Sequence, residues 1–196
     1  MSTETQSRVA LGELISLLQE IDTRWSGPEW NLNSADDVVD SHRALMHILE
    51  AALVGYFDQD ATRPEFRRIV TPSRKLTGDN SAAIYFEAPV SADHAYVIHG
   101  GKHGAAYFSL TIEEGAEDGH MATNTGGVIN DGDLELDSNG NFTLYLGGEA
   151  RDKNWLPLKP GASRVTTRHY FEPAPYTHTT VPTTKPGEVL RVRGER

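Results

Sequence analysis

Residues 78–114 have the sequence GDNSAAIYFEAPVSADHAYVIHGGKHGAAYFSLTIEE, and this stretch decides the predicted fold. Its first part, residues 83–90, places the apolar side chains Ile84, Phe86 and Ala88 at every second position, which is typical of a strand buried on one face. Turn-forming residues at 91–93 and 100–104 separate it from two further candidate strands, 95–99 and 106–113. The pattern predicts consecutive strands joined as hairpins, whose apolar face must be covered by helices or by a second sheet.

Composition narrows the classes of function. The chain has 196 residues, no cysteine and a formal net charge of −10. Nucleic acids and anionic membranes bind positive surfaces, so neither is expected as a partner. The absence of cysteine excludes thiolate catalysis, disulfides and cysteine-based metal centres. The N-terminal MSTETQSR has no secretion-signal pattern and no apolar run reaches the length of a membrane span, which predicts a cytoplasmic protein.

Helices are predicted ahead of the strands. A capping box from Thr3 to Gln6 opens a helix with apolar residues at helical spacing as far as Ile21. A second box, from Ser34 to Asp37, opens a helix that extends to about Phe57. Helices followed by a run of strands favour an α+β arrangement over an alternating parallel sheet.

The rest of the chain adds strands and an arm. Asn-Gly at 139–140, between the runs 133–136 and 142–146, predicts a β-hairpin. Residues 163–171 alternate as a further strand, with Arg168 and His169 on opposite faces. Residues 173–196, rich in proline and threonine, predict an extended C-terminal arm with an edge strand at 189–192. We expect one structural domain overall, made of a helical segment 1–60, a sheet core 61–172 and this arm.

Several fragments of the chain resemble a known family when they are taken in order. They are Gly78-Asp79-Asn80 followed by Tyr85, then Tyr96-Val97-Ile98-His99-Gly100, then Asn154-Trp155-Leu156 followed by Arg168 and Tyr170-Phe171. Their order is similar to that in the bacterial family filed as domain of unknown function 1214, over roughly residues 36–172. The resemblance implies a jelly-roll-like sheet core with flanking helices. The predicted fold class is therefore α+β, with two N-terminal helices packed on an antiparallel β-sandwich.

The leading candidate site is built around an arginine. An arginine that points into an aromatic-lined concavity can hold a carboxylate or an enolate, and a tyrosine there can donate a proton. This predicts a pocket that binds a small carbonyl or carboxylate compound or acts on it, with no cofactor. The candidate catalytic residues are Arg168, Tyr85 and His99, and the candidate ligand-binding residues are Tyr96, Tyr107, Trp155, Asp79 and His169.

The same residues also have a purely structural interpretation. Arg168 could form an ion pair with Asp79 or Glu87, while the tyrosines fill the core. Whether the protein is an enzyme at all is therefore left open by the sequence.

Two other classes of function stay open. The C-terminal arm could add to the sheet edge of a partner, which would make the protein an interaction module that assembles as a homo-oligomer. Alternatively, His99, His103 and His169 could converge on a metal, with Glu87 as a carboxylate ligand. The close His-x-His pair of metal-binding cupin barrels is missing, so no residue is assigned to a metal.

Overall fold

The structure is a computed structural model that describes residues 5–74, 76, 78–115, 122–171 and, for the backbone, 190–195. The chain divides into two compact units, Met1–Glu50 and Ala51–Arg196. The predicted finer division at residues 60 and 172 remains a prediction.

The first unit contains the predicted helices. Helix α1 (Gln6–Arg24) begins after Thr5, whose hydroxyl accepts a hydrogen bond from the Arg8 amide, so the cap lies two residues later than the predicted Thr3. Helix α2 (Ala35–Ala52) begins at the predicted capping box. There Ser34 Oγ accepts from the Asp37 amide at 3.2 Å, and Asp37 Oδ2 accepts from the Ser34 amide at 2.9 Å.

A short 3₁₀-helix (Pro28–Trp30) lies between α1 and α2. Neither α1 nor α2 contains a fully buried residue. Within the described part of the chain, no helix has both the length and the apolar character that crossing a membrane requires.

The second unit continues α2 as a π-helix (Leu53–Phe57) and then forms the strands. The strands are β1 (Arg67–Arg68), β2 (Ala83–Pro89), β3 (Ala95–Gly101), β4 (Tyr107–Glu114), β5 (Asn124–Asn130), β6 (Asn141–Leu146), β7 (Trp155–Leu156), β8 (Ala162–Tyr170) and β9 (Leu190–Glu195). They form a five-stranded sheet in the order β1-β2-β8-β4-β5 and a four-stranded sheet in the order β7-β6-β3-β9. Every pairing is antiparallel except that of β6 with β7.

Strands β2, β3 and β4 form where the sequence predicts them. The predicted hairpins, in which each strand would pair with the next, are wrong. β2 and β4 lie in the five-stranded sheet and both pair with β8, whereas β3 lies in the other sheet. The chain therefore crosses between layers at each of the two turns. The physical reason is burial, because a strand in the opposite layer covers the apolar faces of β2 and β4, which a flat meander would leave exposed.

One apolar core lies between the two sheets, as expected for a sandwich. It combines Phe86 of β2 and Leu110 of β4 with Ile98 of β3 and Leu144 of β6, each at most 1% exposed. The alternation of the chain between layers fits a jelly-roll-like sandwich. The predicted fold class, α+β with N-terminal helices and a sandwich, is confirmed.

The predicted hairpin at Asn139 and Gly140 is half correct. The turn forms, with the Asp137 amide donating to Asn141 O at 2.8 Å and Gly140 at φ +78°, where glycine has no steric penalty. Residues 133–136, however, form no strand. The backbone of Glu135 instead pairs with the side-chain amide of Asn154, at 2.8 Å and 3.0 Å. A single amide side chain thus replaces the partner strand of a hairpin.

The predicted edge strand of the arm is confirmed as β9, which pairs with β3 of the same chain. The proline- and threonine-rich residues 172–189 lie outside the described residues. Oligomerisation through this arm stays a prediction.

Replacing Tyr96 by Phe tests how the core is tied to the loops. The fully buried Tyr96 hydroxyl accepts from the Ser91 amide at 2.9 Å and donates to Ala61 O at 3.0 Å. Losing both bonds should lower the free energy of unfolding by about 1 to 2 kcal/mol, as measured by urea denaturation. The control is Tyr107→Phe at an exposed site, and equal stability of the two variants would contradict the prediction.

Candidate functional site

One side of the five-stranded sheet faces away from the core and is mostly polar. Strands β2, β4 and β8 alternate, so that each places every second side chain on this side. Register aligns Glu87 with Thr166 and Thr111, and Tyr85 with Arg168. We call this side the outer face, and its members on the three strands are Tyr85, Glu87, Pro89, Tyr107, Ser109, Thr111, Glu113, Arg164, Thr166, Arg168 and Tyr170.

A cleft of about 140 Å³ lies at one end of the outer face. We call it the Glu87 cleft. Its inner part consists of buried or half-buried residues, and its mouth consists of exposed ones. The inner residues are Val54, Gly55, Arg67, Glu87, Ala88, Pro89 and Arg164, and the mouth residues are Asp58, Gln59, Asp60, Arg63 and Glu65.

An ion pair lies inside the cleft. Arg164 Nη1 donates to Glu87 Oε2 at 3.0 Å, and the two side chains are 17% and 20% exposed. Arg67 stands directly opposite Glu87 on the neighbouring strand. Burial raises the pKa of the Glu87 carboxyl, an effect that the positive charges of Arg164 and Arg67 only partly offset. Glu87 therefore holds a proton more readily than an exposed glutamate.

The π-helix lies against this ion pair. The guanidinium of Arg164 stacks over the Tyr56 ring at 4.4 Å, a cation–π contact. Arg67 Nη1 donates to Val54 O at 2.8 Å. A Cβ on Gly55 would stand 3.0 Å from Glu87 Oε1, a tight contact, so the absence of a side chain lets the backbone lie close to the carboxylate. A π-helix at a cleft is itself suggestive, since π turns occur often at functional sites.

Of the predicted site residues, the structure brings Arg168, Tyr85 and Tyr107 together on the outer face, beside the cleft. Arg168 lies opposite Tyr85, and its Nη1 donates to Thr111 Oγ1 at 3.2 Å. The Tyr107 and Tyr170 rings lie 5.8 Å apart. Burial and the neighbouring Tyr85 raise the pKa of the Tyr170 hydroxyl.

Other predicted site residues lie elsewhere in the sandwich. Tyr96 is in the core, His99 is exposed on the four-stranded sheet beside Thr143, and Trp155 donates to Gly147 O at 2.8 Å from β7. These side chains do not share one hollow with Arg168. Asp79 is half-buried in the segment that leads into β2.

His169 points into the core, on the side of β8 opposite Arg168. It is 2% exposed, and its ring lies 4.6 Å from that of Phe108 and 5.8 Å from that of Phe86. Within the described residues neither ring nitrogen has a hydrogen-bond partner. Burial, helped by the nearby His103, lowers the pKa of His169 to about 4. The ring is therefore neutral at physiological pH.

The described residues contain no group of three or more His, Cys, Asp or Glu side chains placed to hold a metal ion. His99 and His169 lie on different sheets, which separates two of the three proposed ligands. The metalloenzyme alternative stays a prediction.

Sequence reasoning missed the residues that line the cleft. The sequence predicts Glu87 only as an ion-pair partner of Arg168 or as a metal ligand, whereas its partner in the structure is Arg164. The available signal was the outward position of Glu87 within a strong strand pattern. No local sequence pattern could predict that Gly55 lies against Glu87 or that Tyr56 stacks on Arg164, because these contacts arise only through tertiary packing.

The family comparison supports the resemblance seen in the fragments. The family that matches the chain is described as "Protein of unknown function (DUF1214)". Residues 83–174 match the DUF1214 family. This DUF1214 segment contains β2 to β8, including Glu87 and Arg164 but not the π-helix. No curated protein matches the chain.

Solved structures resemble the chain in fold. An uncharacterized protein from Burkholderia cenocepacia matches with a TM-score of 0.77 and 21% identity, over 97% of this chain and 50% of that one. The VPA0106 protein from Vibrio parahaemolyticus matches with a TM-score of 0.39 and 17% identity, over 100% of this chain and 47% of that one. The chain thus spans about half the length of each. The first likeness shows the fold alone, and the second is too weak to support an argument.

Replacing His169 by Gln should change the acid stability of the protein. The His169 pKa is about 4 in the folded state against an ordinary value of 6.5, so unfolding takes up a proton between these pH values. The contribution of neutral His169 to the free energy of unfolding is fully present above pH 6.5. About 3 kcal/mol of this contribution should be lost as the pH falls to 4. Urea denaturation across this range should show that loss in the wild type and not in His169→Gln. The exposed variant His99→Gln should behave as the wild type, and a shallower acid loss in it alone would contradict the assignment.

Substitutions of Glu87 should separate its charge from its hydrogen bond. Glu87→Ala removes the carboxylate that pairs with the largely buried Arg164 and should lower the free energy of unfolding by about 1 to 3 kcal/mol. Glu87→Gln keeps an acceptor and should cost less. Because the folded Glu87 pKa is raised, the stability of the wild type relative to Glu87→Gln should be greatest at low pH and fall as the pH rises through the raised pKa. Urea denaturation at several pH values measures both effects, and a Gln variant as unstable as Ala at neutral pH would contradict this view.

Proposed function

We propose that the Glu87 cleft binds a small carbonyl or carboxylate compound. The observation that carries the proposal is the half-buried Glu87–Arg164 pair inside a cleft that Arg67 also lines. Structural ion pairs are common, but a group with a shifted pKa and a charged partner inside a cleft is a candidate functional site. The cleft lies on the same face as Arg168 and Tyr85.

The inner residues offer the donors that such a compound needs. A guanidinium has five N–H donors, and the hydrogen bonds to Val54 O and Glu87 Oε2 use one nitrogen each of Arg67 and Arg164. Arginine pairs with carboxylates through two parallel hydrogen bonds. A protonated Glu87 can also donate to a carbonyl or carboxylate oxygen. The raised pKa therefore matches the role of a proton donor in this site.

The volume of the cleft sets the size of the compound. A cavity of about 150 Å³ in another protein accommodates benzene, which has six heavy atoms. The Glu87 cleft, at about 140 Å³, has a similar capacity and is open to solvent on one side. A ligand of about five to eight heavy atoms fits this space.

Catalysis would require the ligand to present a reacting carbonyl beside Glu87. In that case Arg164 would stabilise the negative charge that develops on the carbonyl oxygen, and Glu87, as the general acid, would neutralise it by transferring its proton to that oxygen. Binding alone needs only the arginine contacts. The two cases share the same site and differ in whether Glu87→Gln removes turnover or only weakens binding.

Isothermal titration calorimetry with short carboxylates and carbonyl compounds tests the proposal. We expect at least one compound to bind, and Arg67→Gln to weaken that binding about tenfold, because a charge-assisted hydrogen bond is lost. Arg67 is preferred to Arg164 as the target because its loss does not strip Glu87 of its hydrogen-bonded partner. Arg151→Gln, which removes a guanidinium stacked on Tyr145, is the matched control and should bind as the wild type. Binding that is equally strong in Arg67→Gln, or no binding by any compound, would refute the proposal.

A further inference from the structure

The charges of the Glu87 cleft are arranged in two zones. Two arginines face one glutamate among the inner residues, so the inner zone is positive. Three carboxylates face one arginine at the exposed mouth, so the mouth is negative. The charge of the cleft lining thus changes from positive in the inner zone to negative at the mouth.

We propose that the ligand of the Glu87 cleft is a small zwitterion, with its carboxylate inside against the arginines and its ammonium group at the mouth. This inference rests on the proposed function and names the chemical class of the compound. A simple carboxylate would satisfy the inner zone but leave the mouth carboxylates without a counter-ion. A simple amine would have to pass the mouth and meet Arg67 and Arg164.

The mouth carboxylates are suited to an ammonium group. The side chains of Asp58 and Glu65 make no hydrogen bond or ion pair with another described residue, so their oxygens are available. Asp60 accepts from the Thr62 hydroxyl and amide, and these bonds lower the pKa of its carboxyl. Asp60 therefore keeps its negative charge in mildly acidic solution.

The positive charge of the inner zone does not depend on Glu87 being ionised. Both arginines stay protonated at any physiological pH. If a carboxylate binds beside Glu87, the like charge favours protonation of one of the two groups, which then share a hydrogen bond. Binding of a carboxylate should therefore be accompanied by proton uptake. The charged groups that face Glu87 from the packed strands are Arg67, Arg164 and Glu113.

The size of the cleft limits the separation of the two charges. Glycine, β-alanine and 4-aminobutyrate have five to seven heavy atoms and carry the carboxylate and ammonium groups at increasing separation. Each has a matched compound without the amine: acetate, propionate and butyrate. The pairs isolate the contribution of the ammonium group.

Calorimetric titration of the full chain with these three pairs tests the inference. We expect at least one zwitterion to bind about two- to fivefold more tightly than its matched carboxylate at low ionic strength, with the difference shrinking as salt is added. The double variant Asp58→Asn/Glu65→Gln should remove most of this preference and should not weaken the binding of the carboxylate. The control double variant Glu149→Gln/Asp152→Asn makes the same change of net charge at exposed positions outside the cleft and should keep the preference.

The outcomes separate this inference from the proposed function. If a carboxylate binds as tightly as its zwitterion and Arg67→Gln weakens both, the zwitterion is wrong and the proposed function stands. If the control double variant also loses the preference, the mouth carboxylates are not its source and the inference fails. If none of the six compounds binds at 10 mM, roughly the weak limit of specific small-ligand affinity, both proposals fail.

Discussion

Strand β8 (Ala162–Tyr170) is hydrogen-bonded on both sides, to β2 and to β4, and this double pairing fixes both faces of the five-stranded sheet. Because β8 comes late in the chain, neither β2 nor β4 has its final partner until residues beyond 160 are in place. The same pairing sets Val165 in the core and Arg164 on the outer face, next to Glu87. A shift of one residue in register would exchange the two sets of side chains.

Several residues that carry the family resemblance stabilise turns and loops. Asn80 Oδ1 accepts from the Ala82 amide at 2.8 Å, and the Tyr85 hydroxyl accepts from the Asn80 amide at 3.1 Å, which orders the entry to β2. Asn154 and Trp155 bind the backbone of neighbouring segments in the same way. These contacts order the turns and loops in which the fragments lie. They do not by themselves point to chemistry.

Each face of the five-stranded sheet carries one titratable group whose pKa is shifted by burial, and the two pKa values are shifted in opposite directions. Burial disfavours the charged form of any group, so it raises the pKa of Glu87 and lowers that of His169. Glu87 has arginine neighbours and an opening to solvent, whereas His169 lies among Phe86 and Phe108. The first arrangement suits a site that exchanges a proton with a ligand. The second makes the core sensitive to acid.

The sequence by itself determined the helices, most of the strands and the outward position of Glu87 and Arg168, because helical periodicity, capping boxes and strand alternation are local. Only the tertiary structure decided that β2, β3 and β4 alternate between layers, that the amide of Asn154 replaces a strand at Glu135, and that Arg164 rather than Arg168 pairs with Glu87. It also decided where the cleft forms, by packing the π-helix (Leu53–Phe57) over the pair of Glu87 and Arg164. The reason is that alternation tells which side of a strand is buried, but says nothing about which distant segment covers it.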